Sequence, residues 1–317
     1  MTLRIALDDE LVGEMAPRIH ALAPGADLVA VDDKGRLLGP GAGVTIWLRG
    51  RWLPNIEAVT RQMPDLRWLH TNSAGVDHVL FPALIASDVV VTNAAGAHAI
   101  PISESVMGMM LAIVKRFPDH WRNQTQARWE RYRKDELYGK TLTIIGTGHI
   151  ARELARRARF FGMATIGVTA APREEPAFDR LVGYDSLLDA LTAADFVVIA
   201  APLSPDRIGL IGRDALAAMR PTAWLINIAR GALVDEQALL DTLRANRIAG
   251  AYLDVFGQEP LPSRHPFWKL PNVLIVPHNT GFTWQSRGRG LDLFIDNLRH
   301  WLDGAPLVNV VDKQRGY

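Results

Sequence analysis

The sequence predicts an α/β fold made of two doubly wound parallel-sheet domains. Short apolar, β-branched runs alternate with helical patterns along the whole chain, which is typical of parallel sheets covered by helices. The length of 317 residues suits two domains of about 150 residues each. A glycine-rich loop lies near the middle of the chain, so a second α/β series begins after a complete first one.

The first series contains five predicted strands and three helical patterns, the first of which separates the first two strands. The strands are expected at 3–8, 27–31, 44–48, 67–71 and 89–92. A helix is expected at 55–63 and a longer one at 101–116, where Pro101 fits the first turn because its missing N–H costs nothing there.

The second series contains six predicted strands: TLTIIG, ATIGVT, FVVIAA, AWLINIA, AGAYLDV and VLIVPH. Helices are expected at 150–161, 187–193 and 236–245, and a last one at 283–302. This last helix can return to the first series. We therefore expect one domain from 1–97 plus 283–317 and a second from 98–282, with a small-molecule cleft between them.

Composition excludes several classes of function. The formal net charge is +1, which gives no electrostatic field for nucleic acid or an anionic membrane. There is no cysteine, so disulfides, thiolate metal sites and thiol catalysis are excluded. The N-terminus lacks a signal-peptide pattern and the longest apolar stretch, 106–114, is too short to span a bilayer. We expect a cytoplasmic protein without a membrane segment.

The glycine-rich loop has the pattern of a dinucleotide-binding turn. Gly146, Gly148 and Ala151 lie between a strand and a helix, where they allow a tight turn, close approach to a pyrophosphate and close helix packing. The helix N-terminus, with His149 and Ile150, would offer N–H groups to the phosphates. A simple glycine turn in another α/β protein is the alternative.

The end of the next strand favours NADP over NAD. An acidic residue that would bind the ribose hydroxyls of NAD is absent at Thr169, and Arg173 follows closely enough to meet a 2′-phosphate. Alternatively, Arg173 is a solvated loop residue, and Glu174 or Glu175 binds the ribose.

Three charged or titratable residues lie where a ligand of an open α/β sheet is expected. Arg230 follows the strand in NIARGALVDEQAL, and Glu259 lies in LDVFGQEPLP, just after the strand containing Asp254. His278 ends the strand in VPHNTG. Ligands of such sheets bind at the carboxyl ends of strands, although each residue alone is usually structural.

Together these segments closely resemble the D-2-hydroxyacid dehydrogenase family, which includes glyoxylate/hydroxypyruvate reductases and phosphoglycerate dehydrogenases. The resemblance covers nearly the whole chain, from HTNSAGVDHV and TNAAGAHAIPISESVMGMMLA to NIARG, LDVFGQEPLP and PHNTG. It implies a flavodoxin-like substrate domain and a Rossmann dinucleotide-binding domain. The implied activity is NAD(P)H-dependent interconversion of a small 2-oxo acid and its D-2-hydroxy acid.

The resemblance also implies roles for the three residues. Arg230 would bind the substrate carboxylate and carbonyl through its planar fork of donors. His278 would give a proton to the carbonyl oxygen in reduction and accept one in the reverse direction. Glu259 would orient the imidazole and stabilise its charged form.

Supporting contacts follow from the same resemblance. Backbone N–H groups of Ser73, Ala74 and Gly75 should bind the substrate carboxylate, because small residues allow close approach. Asp254 should hold the nicotinamide carboxamide with Ala229 nearby, and Pro202 should border the adenosine. Two other functions keep the fold: a dinucleotide-binding regulatory protein, and a dehydrogenase of the formate or phosphite type.

Some residues leave alternatives open. Arg49 would either contact a second anionic group of the substrate or be an exposed loop charge, and the second interpretation is preferred. Candidates for the substrate mouth are Trp47, Leu48, Trp52, His98, Phe282 and Trp284. The Arg- and Trp-rich stretch 116–140 is expected to be a solvated or dimer-facing helix of a homodimer rather than a nucleic-acid surface. No metal site is expected, because the histidines lack ligand spacing.

Overall fold

The computed structural model describes residues 2–53 and 55–316. The chain divides into two compact units, one formed by residues 1–97 and 283–317 and the other by 98–282. Each unit has its own parallel β-sheet. The two parallel-sheet α/β units confirm the predicted fold class.

The first unit has a five-stranded parallel sheet. Its strands are β1 (Arg4–Asp8), β2 (Asp27–Val31), β3 (Val44–Arg49), β4 (Trp68–Thr71) and β5 (Val90–Asn93). Helices α1 (Asp9–Leu22), α2 (Ile56–Thr60) and α3 (Pro82–Ile85) connect them. The order β2-β1-β3-β4-β5 is the flavodoxin-like order, and it reverses between β1 and β3.

The C-terminal helix packs against this first sheet. It covers Trp284–Asp303 and begins with a capping box, in which the Thr283 and Ser286 side chains each accept a hydrogen bond from the other residue's backbone N–H. Trp68 of β4 stacks between Phe294 and Trp301, with ring centroids 5.2 and 5.6 Å away. Aromatic stacking and apolar burial thus hold the last helix on β4.

The second unit has a seven-stranded parallel sheet. Its strands are β6 (Thr141–Ile145), β7 (Ala164–Val168), β8 (Arg180–Val182), β9 (Phe196–Ile199), β10 (Trp224–Asn227), β11 (Gly250–Leu253) and β12 (Val273–Ile275). The order β12-β11-β10-β9-β6-β7-β8 is that of a Rossmann fold with one added strand, and it reverses between β6 and β9.

Helices cover both faces of this second sheet. They are α4 (Ala99–Val114), α5 (Phe117–Thr125), α6 (His149–Phe160), α7 (Leu187–Ala193), α8 (Arg213–Ala218) and α9 (Glu236–Arg244). The C-terminal helix described above, α10, belongs to the first unit. Two buried apolar clusters lie on the two faces of the sheet, one around Leu225 and Leu253 and the other around Ile144 and Tyr252.

Most predicted elements are present, with ends that differ by a few residues. Strand β8 was missed because it has only three residues and begins with an arginine. The last strand ends at Ile275, so the expectation that His278 ends it is wrong. The stretch 116–140 is helical only in α5, and its remainder is irregular and largely exposed. Within the described residues, no helix is long and apolar enough to cross a membrane.

His70 makes the first unit sensitive to acid. The imidazole is fully buried in β4, and its Nδ1 lies 2.8 Å from the Thr92 hydroxyl. Burial lowers the pKa of His70 to about 3. In the unfolded chain the imidazole binds a proton below about pH 6.5, whereas the folded chain does not. Stability is therefore lost as the pH falls from about 6.5 towards 3.

We expect the His70→Gln variant to lose less stability than the wild-type chain between pH 6 and pH 4. The pH slopes of the unfolding free energy of the two proteins should differ by about 1.4 kcal/mol per pH unit, the free energy that corresponds to one pKa unit. Urea unfolding followed by tryptophan fluorescence at several pH values measures it. Equal pH slopes for the two proteins would contradict the assignment.

Candidate active site

Three neighbouring strands carry the predicted Arg, Glu and His. Strands β10, β11 and β12 lie side by side and parallel, so their carboxyl ends meet at one edge of the second sheet. Arg230, Glu259 and His278 follow these three strands in that order. The topology therefore gathers at one edge residues that are widely separated in the sequence.

The imidazole of His278 is paired with the carboxylate of Glu259. Nδ1 of His278 lies 2.6 Å from Oε2 of Glu259, and both side chains are partly accessible to solvent. The other carboxylate oxygen accepts a hydrogen bond from the backbone N–H of Phe256 at 2.9 Å. Glu259 is therefore fixed at both oxygens, and the pairing leaves Nε2 as the imidazole nitrogen that can exchange a proton.

Arg230 stands on a short loop that the buried Asn227 side chain ties together. The Asn227 amide donates to the carbonyl of Arg230 at 2.9 Å, and its oxygen accepts from the N–H of Ala229 at 3.1 Å. Nη1 of Arg230 donates to the carbonyl of Ala229 at 2.7 Å. Sequence analysis missed this role of Asn227, although the residue is part of the NIARG segment.

Gly231 lets this loop pack directly on the loop that carries Glu259. A Cβ atom at Gly231 would lie 2.0 Å from the carbonyl carbon of Phe256 and 2.5 Å from the nitrogen of Gly257. Only glycine fits such backbone contact. The residue after Arg230 thus sets the spacing between the arginine and glutamate loops.

Asp254 fixes the segment that contains His278. Its carbonyl accepts from the N–H of His278 at 2.8 Å, and its Oδ1 accepts from the N–H groups of Asn279 and Thr280 at 2.9 and 3.2 Å. Burial raises the pKa of Asp254, and the hydrogen bonds from Thr280 oppose this effect. His278 adopts a left-handed backbone with φ of 50°. Such conformations persist only where neighbouring contacts impose them, and they cluster at functional sites.

The glycine loop fits a dinucleotide pyrophosphate. Gly146 has φ of 99°, and a Cβ atom there would lie 2.8 Å from the carbonyl of Ala200. Gly148 precedes α6, and a Cβ atom there would meet nothing within 4 Å, so the backbone is open to a ligand. His149 and Ile150 begin the helix, whose free N–H groups favour an anion. Burial, followed by the charge of Arg152, lowers the pKa of His149.

The residues expected around the adenosine lie at the ends of β7 and β9. Thr169 follows β7 and donates its N–H to Val182 at 3.0 Å, while Arg173 is exposed and forms no ion pair within the described chain. Glu175 is instead bound by Arg152, with Nε 3.2 Å from Oε2. Pro202, after β9, accepts from Nη1 of Arg207 at 3.4 Å.

In the first unit, the loop Ser73–Gly75 turns its carbonyl groups towards its own framework. The carbonyls of Ser73, Ala74 and Gly75 accept from the Ala94 N–H at 3.0 Å, the Asn93 amide at 2.8 Å and the Ser73 hydroxyl at 2.9 Å. A trans peptide places its N–H opposite its carbonyl, so the N–H groups of Ala74 and Gly75 point away from these partners. This orientation suits the binding of a carboxylate.

The structure corrects the expectation for Arg49 and divides the candidates for the substrate mouth into buried and exposed residues. Arg49 is the last residue of β3 and is only 2% exposed, so it is not an exposed loop charge. Trp47 and Leu48 are also fully buried, whereas Trp52, Phe282 and Trp284 are largely exposed. His98 precedes α4, with Nδ1 3.1 Å from the carbonyl of Gly281.

No cluster of three or more potential metal ligands occurs among residues 2–53 and 55–316. The strand ends of the second sheet bring together a guanidinium, a carboxylate and an imidazole, in the same unit as a loop suited to a dinucleotide. These are the groups needed to bind an oxo acid and to move a proton.

Comparison with known proteins identifies the family. A sequence model described as "D-isomer specific 2-hydroxyacid dehydrogenase, NAD binding domain" matches residues 107–280. The (S)-sulfolactate dehydrogenase of Chromohalobacter salexigens is 34% identical over 286 residues, covering 87% of this chain and 90% of that protein. The D-3-phosphoglycerate dehydrogenase of Methanocaldococcus jannaschii is 33% identical over 257 residues, which is 80% of this chain but 49% of the relative.

A solved structure agrees over the full length. The NADPH-dependent glyoxylate/hydroxypyruvate reductase of Sinorhizobium meliloti, in complex with NADP and sulfate, aligns with a TM-score of 0.86 at 25% identity and covers 100% of both chains. These matches confirm the resemblance seen in the sequence, the use of NADP or NAD and the reduction of 2-oxo acids. The chain belongs to the D-isomer specific 2-hydroxyacid dehydrogenase family.

Proposed function

We propose that the protein reduces a small 2-oxo acid of the glyoxylate or hydroxypyruvate type to the D-2-hydroxy acid, with NADPH as the preferred reductant. The observation that carries this proposal is the His278–Glu259 pair, 2.6 Å apart, at the strand edge that also carries Arg230. The name of the Sinorhizobium meliloti enzyme supports the choice of substrate.

His278 is the proposed acid and base. Because Glu259 occupies Nδ1, the opposite nitrogen, Nε2, gives its proton to the carbonyl oxygen during reduction. The carboxylate stabilises the charged imidazole and fixes the ring orientation. In the oxidation direction, neutral His278 accepts the hydroxyl proton of the substrate.

Arg230 and the Ser73–Gly75 loop are the proposed substrate contacts. The Arg230 guanidinium offers parallel donors to the carboxylate and carbonyl of a 2-oxo acid. The N–H groups of Ala74 and Gly75 face away from their framework partners and supply further donors to the carboxylate. Hydrogen bonds to both the carboxylate and the carbonyl of the 2-oxo acid hold the substrate in a fixed orientation.

The cofactor is assigned to the loop Gly146–Ala151. Gly146, Gly148, His149 and Ile150 would hold the pyrophosphate, with Pro202, Thr169 and Arg173 at the adenosine and Ala229 and Asp254 at the carboxamide. When bound, the reduced nicotinamide supplies the hydride for the carbonyl carbon. Among the described residues Arg173 has no acid partner, whereas Glu175 is paired with Arg152, and both facts favour a 2′-phosphate.

We also propose a cytoplasmic homodimer. Trp129, Tyr138 and Phe160 of the second unit are largely exposed, and an apolar groove between α4 and α6 is lined by Met107, Leu111, Phe160 and Phe161. Exposed apolar surface of this kind favours contact with a second copy. A dehydrogenase that consumes NADPH suits a compartment where the reductant is regenerated.

Replacing His278 with alanine should lower kcat/KM for glyoxylate and hydroxypyruvate by about 10²- to 10⁴-fold, because general acid catalysis is lost. Glu259→Gln should give a smaller loss in the same direction. Loss of NADPH absorbance at steady state measures both.

The matched control for this experiment is His265→Gln. His265 is also paired with a glutamate, Glu236, at 3.1 Å, but its other nitrogen already accepts from the N–H of Phe267, so neither nitrogen serves a ligand. We expect a loss below about tenfold. Full activity in His278→Ala would rule out the proposed mechanism. Tight NADPH binding without turnover of any 2-oxo acid would favour a regulatory protein or an alternative hydride donor such as formate.

Replacing Arg173 with alanine should weaken NADPH binding by roughly 10- to 100-fold, the effect of one charge-assisted hydrogen bond, and leave NADH binding nearly unchanged. Fluorescence titration with each cofactor measures both. Arg180→Ala, which removes another exposed arginine in the same region, serves as the control. Tenfold tighter binding of NADH than NADPH by the wild-type chain would reject the assignment.

The double change Arg128→Glu and Arg131→Glu should convert the proposed dimer to a monomer, since both exposed residues lie in the irregular segment after α5. Repulsion and desolvation of like charges at an interface cost several kcal/mol, on the order needed to separate a modest dimer. Light scattering measures the mass. Arg244→Glu with Arg247→Glu makes the same charge change elsewhere and should leave the mass unaltered.

A further inference from the structure

Tyr252 is a buried phenol on the strand that leads to the proposed catalytic edge. It is the third residue of β11 and is only 2% exposed, and its ring belongs to the apolar cluster that contains Ile144 and Ile226. The hydroxyl group adds nothing to apolar packing, and a buried hydroxyl is costly unless it is hydrogen-bonded. The partner of this hydroxyl therefore indicates what the tyrosine does at this position.

The Tyr252 hydroxyl contacts Thr280, which lies two residues after His278 in the sequence. The phenol oxygen is 2.8 Å from Oγ1 of Thr280, and both side chains are buried. Burial raises the pKa of Tyr252, so the phenol keeps its proton at neutral pH and can donate it. The bond joins β11 to the segment after β12, across 28 residues of sequence.

Thr280 connects this phenol to the carboxylate of Asp254. The backbone N–H of Thr280 donates to Oδ1 of Asp254 at 3.2 Å. Burial raises the pKa of Asp254, and the hydrogen bond from the Thr280 side chain is the largest effect that opposes this rise. A threonine hydroxyl has a single proton to donate. Since that proton is used on the carboxylate, Oγ1 accepts the proton of Tyr252, and the donors of the chain all point towards Asp254.

Helix α4 holds the backbone of the same segment. Oγ of Ser105 donates to the carbonyl of Thr280 at 3.2 Å. A Cβ atom at Gly281 would lie 2.9 Å from Cγ1 of Ile102, so the segment packs directly against the helix. The backbone that carries the Thr280 side chain is therefore fixed by contacts that do not involve its hydroxyl. A change confined to this hydroxyl acts on the carboxylate without removing the packing of the segment on α4.

We propose that Tyr252 and Thr280 are positioning residues for the reduction, because their chain of hydroxyl groups keeps the Asp254 carboxylate in the state that holds the backbone of His278. The inference rests on the proposed function and adds two residues that act through Asp254. Within the described chain, the titratable groups that face Asp254 are Tyr252 on the same strand and His278 after β12. Removing the hydroxyl donors favours the protonated carboxyl, which accepts the N–H groups of the segment less strongly and so loosens His278.

The test follows kcat against pH in the Thr280→Val and Tyr252→Phe variants, which remove one hydroxyl each and keep the shape of the side chain. With saturating NADPH, Thr280→Val should lower kcat for glyoxylate about tenfold and Tyr252→Phe about threefold, with KM changed less than about twofold. Without the donors the pKa of Asp254 rises, so kcat should fall from a higher pH on the acid side of the profile. The alkaline side, where Asp254 is charged in every variant, should not move.

Thr143→Val is the matched control. Thr143 is a fully buried threonine of β6 in the same sheet, and its hydroxyl donates to the carbonyl of Ala190 at 2.9 Å. Losing this bond should lower stability as Thr280→Val does, but should leave the pH profile of kcat in place. Thr280→Ser keeps the hydroxyl and should recover the wild-type profile. Tyr252→Phe combined with Thr280→Val should be no worse than Thr280→Val alone, because the chain passes through Thr280.

Hydrogen exchange separates this inference from the proposed function, because it needs neither cofactor nor substrate. Mass spectrometry of the segment 276–282 reports the amides that Asp254 holds, and Thr280→Val should lower their protection about tenfold while Thr143→Val leaves it unchanged. Unchanged protection, an acid side of the kcat profile that stays in place, or a loss that Thr280→Ser does not recover would overturn the inference even if glyoxylate is reduced. Failure of the wild-type chain to reduce any 2-oxo acid, with protection lost in Thr280→Val and kept in Thr280→Ser, would instead reject the proposed function alone.

Discussion

The buried carboxylate of Asp254 is the constraint on which the proposed catalytic edge depends. The carboxylate accepts hydrogen bonds from the backbone N–H groups of Asn279 and Thr280, and the backbone carbonyl of Asp254 accepts one from the N–H of His278. These bonds hold the His278 backbone in a left-handed conformation that an isolated histidine rarely adopts. Because burial penalises the charged carboxylate, the bonds from the loop are what make its burial tolerable. The backbone therefore sets the direction in which the imidazole points, and the hydrogen bond to Glu259 fixes the orientation of the ring.

Close backbone approach is the second constraint, and two glycines provide it. Gly146 turns the chain against the carbonyl of Ala200, which brings the first turn of α6 beside the end of β9. Gly231 allows the arginine loop to touch the backbone at Phe256 and Gly257. A side chain at either position would push two loops apart. Both glycines therefore set the spacing between neighbouring loops.

Both sheets use the same principle for placing charged groups. In each unit the strand order reverses once, and chemically distinctive residues follow the strands at their carboxyl ends. In the second unit these groups complete one another, since Glu259 satisfies His278 and Asn227 satisfies the arginine loop. Arg49 in the first unit remains incompletely satisfied.

Local sequence determined most strands, the glycine turn and the position of Arg230, Glu259 and His278 after three strands, because apolar runs and turn residues act over a few neighbouring positions. It missed β8, which is too short for such a signal. Tertiary structure alone decided that Glu259 meets His278 across 19 residues and that Arg49 is buried rather than exposed. Strand order and burial depend on which distant segments pack together, and no local pattern contains that information.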